Sequence, residues 1–210
     1  MSENSNNSEN NEIKIILLGD AGVGKTSIIL RYYKDEFLPN SVSTIGATYI
    51  QKELKRGDIT YKLNIWDTSG QERYRAVTKL FVQGASIIVL VYSINVKETF
   101  DILDFWYKSI IDICGGGDDI VLAIVGNKMD LFEEEGENMV PEEDAKKFAE
   151  EKKAIFKAVS AKIDGKGISN LFDELLDELI KKNPGKNLGV KNIKIGDSKK
   201  DKKKKGCCSN

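Results

Sequence analysis

The chain has 210 residues, of which 40% are hydrophobic and 31% are charged, a composition typical of a globular domain with one sizeable core. It contains no His and only three Cys. This excludes catalytic triads and metal sites built on His, and it argues against a secreted scaffold held by disulfides. No apolar run approaches the roughly 18 residues that would predict a membrane-spanning helix.

The net charge of −1 conceals an uneven distribution. Residues 181–210 contain eleven Lys and two Asp, whereas the other 180 residues contain 21 basic and 31 acidic side chains. An acidic body binds nucleic acid poorly because phosphate neutralisation needs clustered Lys and Arg, so we expect no nucleic-acid partner. The basic end of the chain suits contact with an anionic surface.

Apolar runs alternate with segments of helical periodicity along the chain. Residues 1–11 are polar and include five Asn, so we predict a disordered N-terminal tail. The predicted strands are 14–20, 49–55, 60–66, 87–92, 120–125 and 155–159. The predicted helices are 26–33, 97–113, 141–152 and 168–180. The pattern stops after Lys182, so residues 183–210 are predicted to form a flexible basic tail.

Continuous apolar strands that alternate with helices are typical of a mostly parallel sheet with helices on both faces. The second and third strands are joined by the short segment Arg56-Gly57-Asp58, which favours an antiparallel hairpin. The sequence therefore predicts one α/β domain over residues 12–182, with one antiparallel strand pair.

A phosphate-binding loop follows the first predicted strand, with the sequence Gly19-Asp20-Ala21-Gly22-Val23-Gly24-Lys25-Thr26. This matches GxxxxGK[ST] between a strand and a helix, where backbone N–H groups and the helix N-terminus attract phosphate oxygens. Lys25 is expected to reach the β- and γ-phosphates, which also makes it a candidate catalytic residue. The Thr26 hydroxyl is expected to ligate Mg²⁺, and Ser27 completes the contact segment. The alternative is a glycine-rich turn without a ligand.

Two further segments predict guanine as the base, namely Asn127-Lys128-Met129-Asp130 and Ser160-Ala161-Lys162. Guanine presents two adjacent donors, N1–H and the N2 amino group, and the carboxylate of Asp130 can accept both. Lys128 can lie along the base plane, and Asn127 can brace the neighbouring loop. A backbone N–H of the second segment can reach guanine O6.

Between these segments lie the residues that a phosphate-cleaving reaction needs. Asp67 ends a predicted strand and can hold Mg²⁺ through water, and Thr44 can complete the metal shell. Gly70 can offer its N–H to the γ-phosphate, and Gln71 can orient a water molecule for in-line attack. Phe37 can pack against the base.

The segments GDAGVGKT, STIG, WDTSGQERYR, NKMD and SAK together resemble the Ras superfamily of small GTPases over residues 12–182. STIGATY, QERYR and the terminal Cys pair resemble the Rab family. The resemblance implies a P-loop GTPase fold with a six-stranded, mostly parallel sheet, one antiparallel edge strand and five helices on both faces. It also implies a GTP/GDP cycle with Mg²⁺, and exchange factors, activating proteins and effectors as partners.

Several positions depart from the Rab pattern. Ser69 replaces the usual Ala, and Ala21 lies beside the expected γ-phosphate. These changes leave open a GTP-binding scaffold that hydrolyses little, whereas Gln71 and Thr44 favour a hydrolase. A P-loop kinase using ATP is disfavoured by Asp130.

The resemblance assigns an effector-facing aromatic triad to Tyr49, Trp66 and Phe81, with simple packing on the sheet face as the alternative.

The segment KKKKGCCSN ends the chain and carries Cys207 and Cys208. A Cys pair after a polybasic linker resembles the site of double geranylgeranylation in Rab proteins. The resemblance implies a carrier protein that shields the prenyl groups. It also implies residence on the cytoplasmic face of an intracellular membrane, with a soluble pool in the cytosol. The alternative is a solubilising Lys tail with incidental thiols.

Overall fold

A computed structural model describes residues 11–39, 44, 47–69, 75–115, 119–132, 139–184 and 188. The strands are β1 (Glu12–Leu18), β2 (Ala47–Arg56), β3 (Ile59–Thr68), β4 (Ile87–Ser93), β5 (Val121–Asn127) and β6 (Ile155–Ala158). The helices are α1 (Lys25–Lys34), α2 (Arg75–Val82), α3 (Lys97–Asp101), α4 (Leu103–Cys114), α5 (Glu142–Glu151) and α6 (Gly165–Lys182), with a 3₁₀ turn at Met129–Leu131. None of the helices in these ranges is both long enough and apolar enough to span a membrane.

The six strands form one sheet in the order β2-β3-β1-β4-β5-β6. Every neighbouring pair is parallel except β2 and β3, which form an antiparallel hairpin around Gly57 at φ 58°. All seven residues of β4 are buried, as expected for a central parallel strand. The predicted mostly parallel sheet with one antiparallel edge strand is confirmed.

Helices cover both faces of the sheet and create two hydrophobic clusters. Helices α1 and α6 pack on one face, and α2, α4 and α5 pack on the other. The stripe that α6 buries is at most 1% exposed and consists of Ile168, Leu171, Phe172, Leu175, Leu176 and Leu179. Each such side chain contributes about 1.5–3 kcal/mol through burial, so α6 is fixed firmly against the sheet. The rigid sheet in turn holds the loops at its edge.

Two helical features differ from the sequence-based expectations. The helix expected over 97–113 is interrupted at Ile102, although the φ of −77° and ψ of −10° at that residue keep α3 and α4 nearly continuous. The Thr99 hydroxyl donates to the Val96 carbonyl, 2.7 Å away, and accepts from the N–H of Ser93 at 3.0 Å. These bonds tie the first turn to the end of β4. Helix α2 was not predicted; with 8 residues it makes only about two turns, too few for helical periodicity to stand out in the sequence.

Candidate nucleotide-binding site

A cavity of about 330 Å³ opens where the loops after β1, β5 and β6 meet the N-terminus of α1. It collects segments from five parts of the chain. Its lining residues are Ala21, Gly22, Gly24, Lys25, Thr26, Ser27, Phe37, Leu38, Pro39, Thr44, Thr68, Asn127, Lys128, Asp130, Leu131, Ala161 and Lys162. This is the edge at which parallel α/β sheets bind ligands, beyond the carboxyl ends of the strands.

The loop between β1 and α1 depends on glycine at two close approaches. Gly24 adopts φ 96°, and a Cβ at this position would collide with the side-chain amide of Asn127. Gly19 adopts φ 143°, and a Cβ there would collide with the Val91 carbonyl oxygen. Larger residues at either position would push the loop away from the sheet, so both glycines set the shape of the phosphate end of the cavity.

Lys25 lies at the floor of this loop with only 5% of its surface exposed. Its ammonium group donates to the carbonyl oxygens of Gly19 at 2.9 Å and Asp20 at 2.8 Å. Burial lowers the pKa of Lys25 to about 8, although the nearby carboxylates of Asp67 and Asp20 oppose the shift. A buried ammonium whose hydrogen bonds among the described residues go to two neutral carbonyls is well placed to bind a polyanion.

Three oxygen-bearing side chains converge beside Lys25. Thr26 Oγ1 lies 2.7 Å from Thr44 Oγ1 and donates to Asp67 Oδ2 at 2.6 Å, while Thr44 Oγ1 donates to the same oxygen at 3.2 Å. Burial raises the pKa of Asp67, and the hydrogen bond from Thr26 and the charge of Lys25 oppose this. Asp67 Oδ1 is buried and has no hydrogen-bond partner within the described residues. This all-oxygen set with an unpaired carboxylate oxygen fits Mg²⁺.

Asn127 joins the phosphate end of the cavity to its opposite end. Its Nδ2 donates to the Val23 carbonyl at 2.9 Å, and its Oδ1 accepts from the N–H of Ala161 at 3.1 Å. The side chain is 2% exposed, so both bonds are protected from water. Asn127 therefore connects the loop after β1 with the loop after β6.

The carboxylate of Asp130 faces the far end of the cavity and is 12% exposed. The Ser160 hydroxyl donates to its Oδ1 at 2.6 Å, and Lys162 Nζ lies 3.5 Å from its Oδ2. Lys128 adopts the left-handed conformation, φ 71°, beside it. Burial lowers the pKa of Lys128, and the charge of Asp130 opposes the shift.

Comparison with known proteins gives a consistent result over most of the chain. A model of the Ras family matches residues 14–181. The chain belongs to the Ras family. Ras-related protein Rab-22A from Homo sapiens is 38% identical over 197 residues, which cover 94% of this chain and 98% of the human protein. Rab-31 from Mus musculus is 36% identical over 197 residues, 94% of this chain and 97% of the mouse protein. Rab11B from Nicotiana tabacum is 37% identical over 207 residues, 93% of each chain.

As a Rab-like member of the Ras family, the protein is a GTPase, and the cavity is where the family leads us to expect its guanine nucleotide. The family also implies exchange factors, activating proteins and effectors as partners.

Four predicted contact residues do not line the cavity of this Ras-family chain, namely Asp20, Val23, Asp67 and Ser160. Val23 is wholly buried in the core, and only its carbonyl takes part through Asn127. The other three contact residues that line the cavity. The Asp20 carbonyl accepts from Lys25, Asp67 accepts from Thr26, and the Ser160 hydroxyl donates to Asp130. Gly70, Gln71, Cys207 and Cys208 lie outside the described residues.

Sequence reasoning missed four lining residues, which are Leu38, Pro39, Thr68 and Leu131. Leu38 and Pro39 extend the apolar wall that begins at Phe37, and only their adjacency to Phe37 could have indicated them. Thr68 lies inside the DTSG segment. Its hydroxyl donates to the Leu17 carbonyl at 2.8 Å and so links the ends of β3 and β1.

The aromatic triad joins Tyr49 of β2, Trp66 of β3 and Phe81 of α2. The Tyr49 and Trp66 ring centroids are 5.2 Å apart, and those of Trp66 and Phe81 are 5.8 Å apart. Tyr49 is 46% exposed, and its hydroxyl donates to Asn64 Oδ1 at 2.8 Å. The three rings therefore form one continuous and partly exposed surface.

Proposed function

We propose that the protein is a molecular switch of the Rab type that cycles between GTP and GDP, hydrolyses GTP slowly and recruits effectors to membranes during vesicle traffic. The observation that carries this proposal is the convergence of Thr26, Thr44 and Asp67 beside the buried ammonium of Lys25. Thr44 comes from a separate loop, so its contacts connect the nucleotide site with the surface around it.

The proposed roles at the phosphate end follow from these contacts. Lys25 exchanges its bonds to two loop carbonyls for bonds to the β- and γ-phosphates, which stabilises negative charge in the reaction. Thr26 and Thr44 give hydroxyl ligands to Mg²⁺, and Asp67 holds the ion through water. Bound Mg²⁺ would neutralise negative charge that develops on the phosphates. Gln71 orients the attacking water, and Gly70 donates its N–H to the γ-phosphate.

Guanine recognition is assigned to the opposite end of the cavity. Asp130 accepts from guanine N1–H and the N2 amino group, and Phe37 and the stem of Lys128 enclose the base. Support comes from the low exposure of Asp130 and from its bond to Ser160, because a charged acceptor discriminates best when water is largely excluded.

The switch itself is proposed to depend on Thr44. In the GTP state its hydroxyl is held at the metal, beside Thr26 and Asp67, and loss of the γ-phosphate releases the loop that carries it. Tyr49 lies five residues beyond Thr44 in the chain, and the rings of Trp66 and Phe81 continue the surface that it begins. We infer that effectors dock there, since exposed aromatic rings are favourable anchors for a protein partner.

The test of this function is Gln71→Leu. We expect nucleotide affinity to change little, because the side chain acts on the attacking water and not on the ground state. Single-turnover hydrolysis stimulated by an activating protein should slow by about tenfold to a hundredfold. The measurement is phosphate release from preloaded protein.

Gln83→Leu is the matched control, since Gln83 is an exposed glutamine at the end of α2, away from the cavity. It should hydrolyse GTP at the unaltered rate. Equal rates for Gln71→Leu and the unaltered protein would contradict the assignment of Gln71. Equally low rates would favour a GTP-binding scaffold, and equally high rates a partner that brings its own glutamine.

Membrane attachment is proposed to come from two prenyl groups on Cys207 and Cys208. Leu188 packs against the core, so the flexible linker would comprise the 18 residues from 189 to 206. Its root-mean-square reach of roughly 23 Å would keep the switch surface clear of the bilayer. One chain binds a membrane only marginally, whereas two chains and a Lys run give firm anchoring. A carrier protein that shields the lipids is then needed for removal from the membrane.

Changing both Cys207 and Cys208 to Ser should leave GTP binding unaltered and move the protein from the membrane pellet to the supernatant of fractionated cells. Cys114→Ser is the control, because this thiol is half-buried at the end of α4 and burial raises its pKa. It should leave the distribution unchanged. Intact mass gives the chemistry directly: an unmodified C-terminus in the membrane-bound pool would disprove the proposal.

A further inference from the structure

Arg31 reaches from α1 to a loop 130 residues away in the chain. Its Nε donates to the Ala161 carbonyl at 2.8 Å, and its Nη2 donates to the Lys162 carbonyl at 2.8 Å. Its Nη1 donates to the backbone carbonyl of Asp35 at 2.9 Å and to Asp35 Oδ1 at 3.0 Å. The side chain is 15% exposed, so one guanidinium is committed to two segments.

The two loop carbonyls belong to successive peptide groups. The Ala161 carbonyl shares its peptide group with the N–H of Lys162, and the Lys162 carbonyl shares its own with the N–H of Ile163. Both of these N–H groups donate to Ser160 Oγ, at 3.2 Å and 3.3 Å. Arg31 therefore fixes both peptide planes and polarises both donors toward one hydroxyl.

The hydroxyl of Ser160 is left with one possible direction for its proton. A serine hydroxyl has two acceptor sites and one donor, and the two peptide N–H groups occupy the acceptor sites. The donor is directed to Asp130 Oδ1, 2.6 Å away. A continuous path of hydrogen bonds thus runs from the guanidinium of Arg31, through two peptide groups and one hydroxyl, to the carboxylate.

The start of α6 lies close against Arg31. A Cβ at Gly165, the first residue of α6, would lie 3.2 Å from Arg31 Cδ and 2.6 Å from Asp35 Oδ1. Asp35 adopts the left-handed conformation that ends α1, and Phe37, two residues later, lines the cavity. The guanidinium therefore holds a segment on each side of the base end of the cavity.

We propose that Arg31 is a positioning residue for guanine recognition, which acts through residues 160–163 to fix the Asp130 carboxylate. The inference rests on the proposed assignment of Asp130 to the base. Arg is required here because a planar fork can bind two carbonyls and an aspartate at once, whereas Lys offers a single point of attachment.

The test compares GDP with inosine diphosphate, which lacks the N2 amino group that Asp130 accepts. Displacement of Asp130 weakens both nucleotides through N1–H, but it removes the contact to the amino group for GDP alone. The quantity compared is the dissociation constant of inosine diphosphate divided by that of GDP. For Arg31→Met in the full chain, we expect this ratio to fall by about tenfold, the equivalent of one lost hydrogen bond to a charged group. Competition against a fluorescent nucleotide gives this ratio independently of the fraction of active protein.

Lys34→Met is the matched control, because Lys34 is an exposed cation on the last turn of the same helix. Its ratio should equal that of the unaltered protein. Arg31→Lys keeps the charge without the fork and should lower the ratio by roughly threefold. It also serves as the test if the Met variant does not fold.

An unchanged ratio in both Arg31→Lys and Arg31→Met would overturn the inference. If GDP and inosine diphosphate were at the same time weakened equally, Arg31 would have a purely structural role. A different failure would appear in the unaltered protein: if GDP bound no better than ADP, the guanine site itself would be wrong.

Discussion

Asp130→Asn should weaken GTP binding by about 10²- to 10⁴-fold, because two hydrogen bonds to a charged acceptor are each worth about 1.5–3 kcal/mol. The same change should improve binding of xanthosine triphosphate, whose C2 carbonyl replaces the guanine amino group. The amide of Asn can donate to that carbonyl, whereas a carboxylate only accepts. The carboxylate is 12% exposed, so water cannot fully replace the lost bonds.

Competition between GTP and xanthosine triphosphate for the full chain measures this exchange. Asp112→Asn is the control, since Asp112 is exposed on α4, away from the cavity. It should keep the preference for GTP. Wild-type GTP affinity in Asp130→Asn would show that the base is read by another group.

Much of the fold was predictable because its signals are local. The apolar runs that became β1, β4 and β5 are too continuous for half-exposed strands, and the short turn at Gly57 allows only a hairpin. The ends of elements were less predictable, because they depend on contacts across the sheet. Strand β2 extends from Ala47 to Arg56 since its pairing with β3 continues along the whole hairpin.

The phosphate end of the site was predictable for a similar reason. The glycines that shape the loop, Lys25 and Thr26 all lie within one short segment, so the motif alone indicates how these groups are arranged. The contributions of Arg31 and Thr68 could not be read from the sequence. A single Arg on a helix is normally a solvated surface residue, and its role here arises only because the fold brings α1 within reach of residues 161 and 162.

Long-range contacts also connect the β2–β3 hairpin to the rest of the domain. Arg56, at the end of β2, donates to Asp173 Oδ1 at 2.7 Å and to Asp177 Oδ1 at 2.6 Å, both on α6. The firmly packed helix thus holds the far end of the hairpin, while Tyr49 and Ala47, at its near end, adjoin the loop that carries Thr44. In the proposed GTP/GDP cycle, we therefore expect movement on hydrolysis to concentrate at the near end of the hairpin.

Lys25→Met should reduce the affinity for GTP and GDP by roughly 10³-fold, because it removes charge-assisted hydrogen bonds to phosphate and leaves polyanion charge uncompensated in a buried site. The residue is 5% exposed, so solvent cannot substitute for the ammonium. Met has a similar length and suits an apolar stem, which limits the damage to packing. Lys166→Met, in the first turn of α6, is an exposed control and should bind both nucleotides normally.

The lowered pKa of Lys25, about 8, adds a pH dependence with a definite sign. Bound phosphates favour the ammonium form and raise this pKa, so nucleotide binding takes up a proton above pH 8 and affinity falls there, by up to about tenfold per pH unit. Unfolding of the protein does not explain such a fall in affinity. Between pH 8 and 10.5, the ordinary pKa of Lys, the side chain of Lys25 is protonated in the unfolded chain but largely neutral in the folded one. The contribution of Lys25 to the stability of the free protein therefore increases as pH rises. Titration of GDP binding from pH 7 to 9 should show the decline in the unaltered protein and a flat profile in Lys25→Met. Ionisation of guanine itself affects both proteins alike, so parallel profiles would exclude Lys25 as the group that titrates.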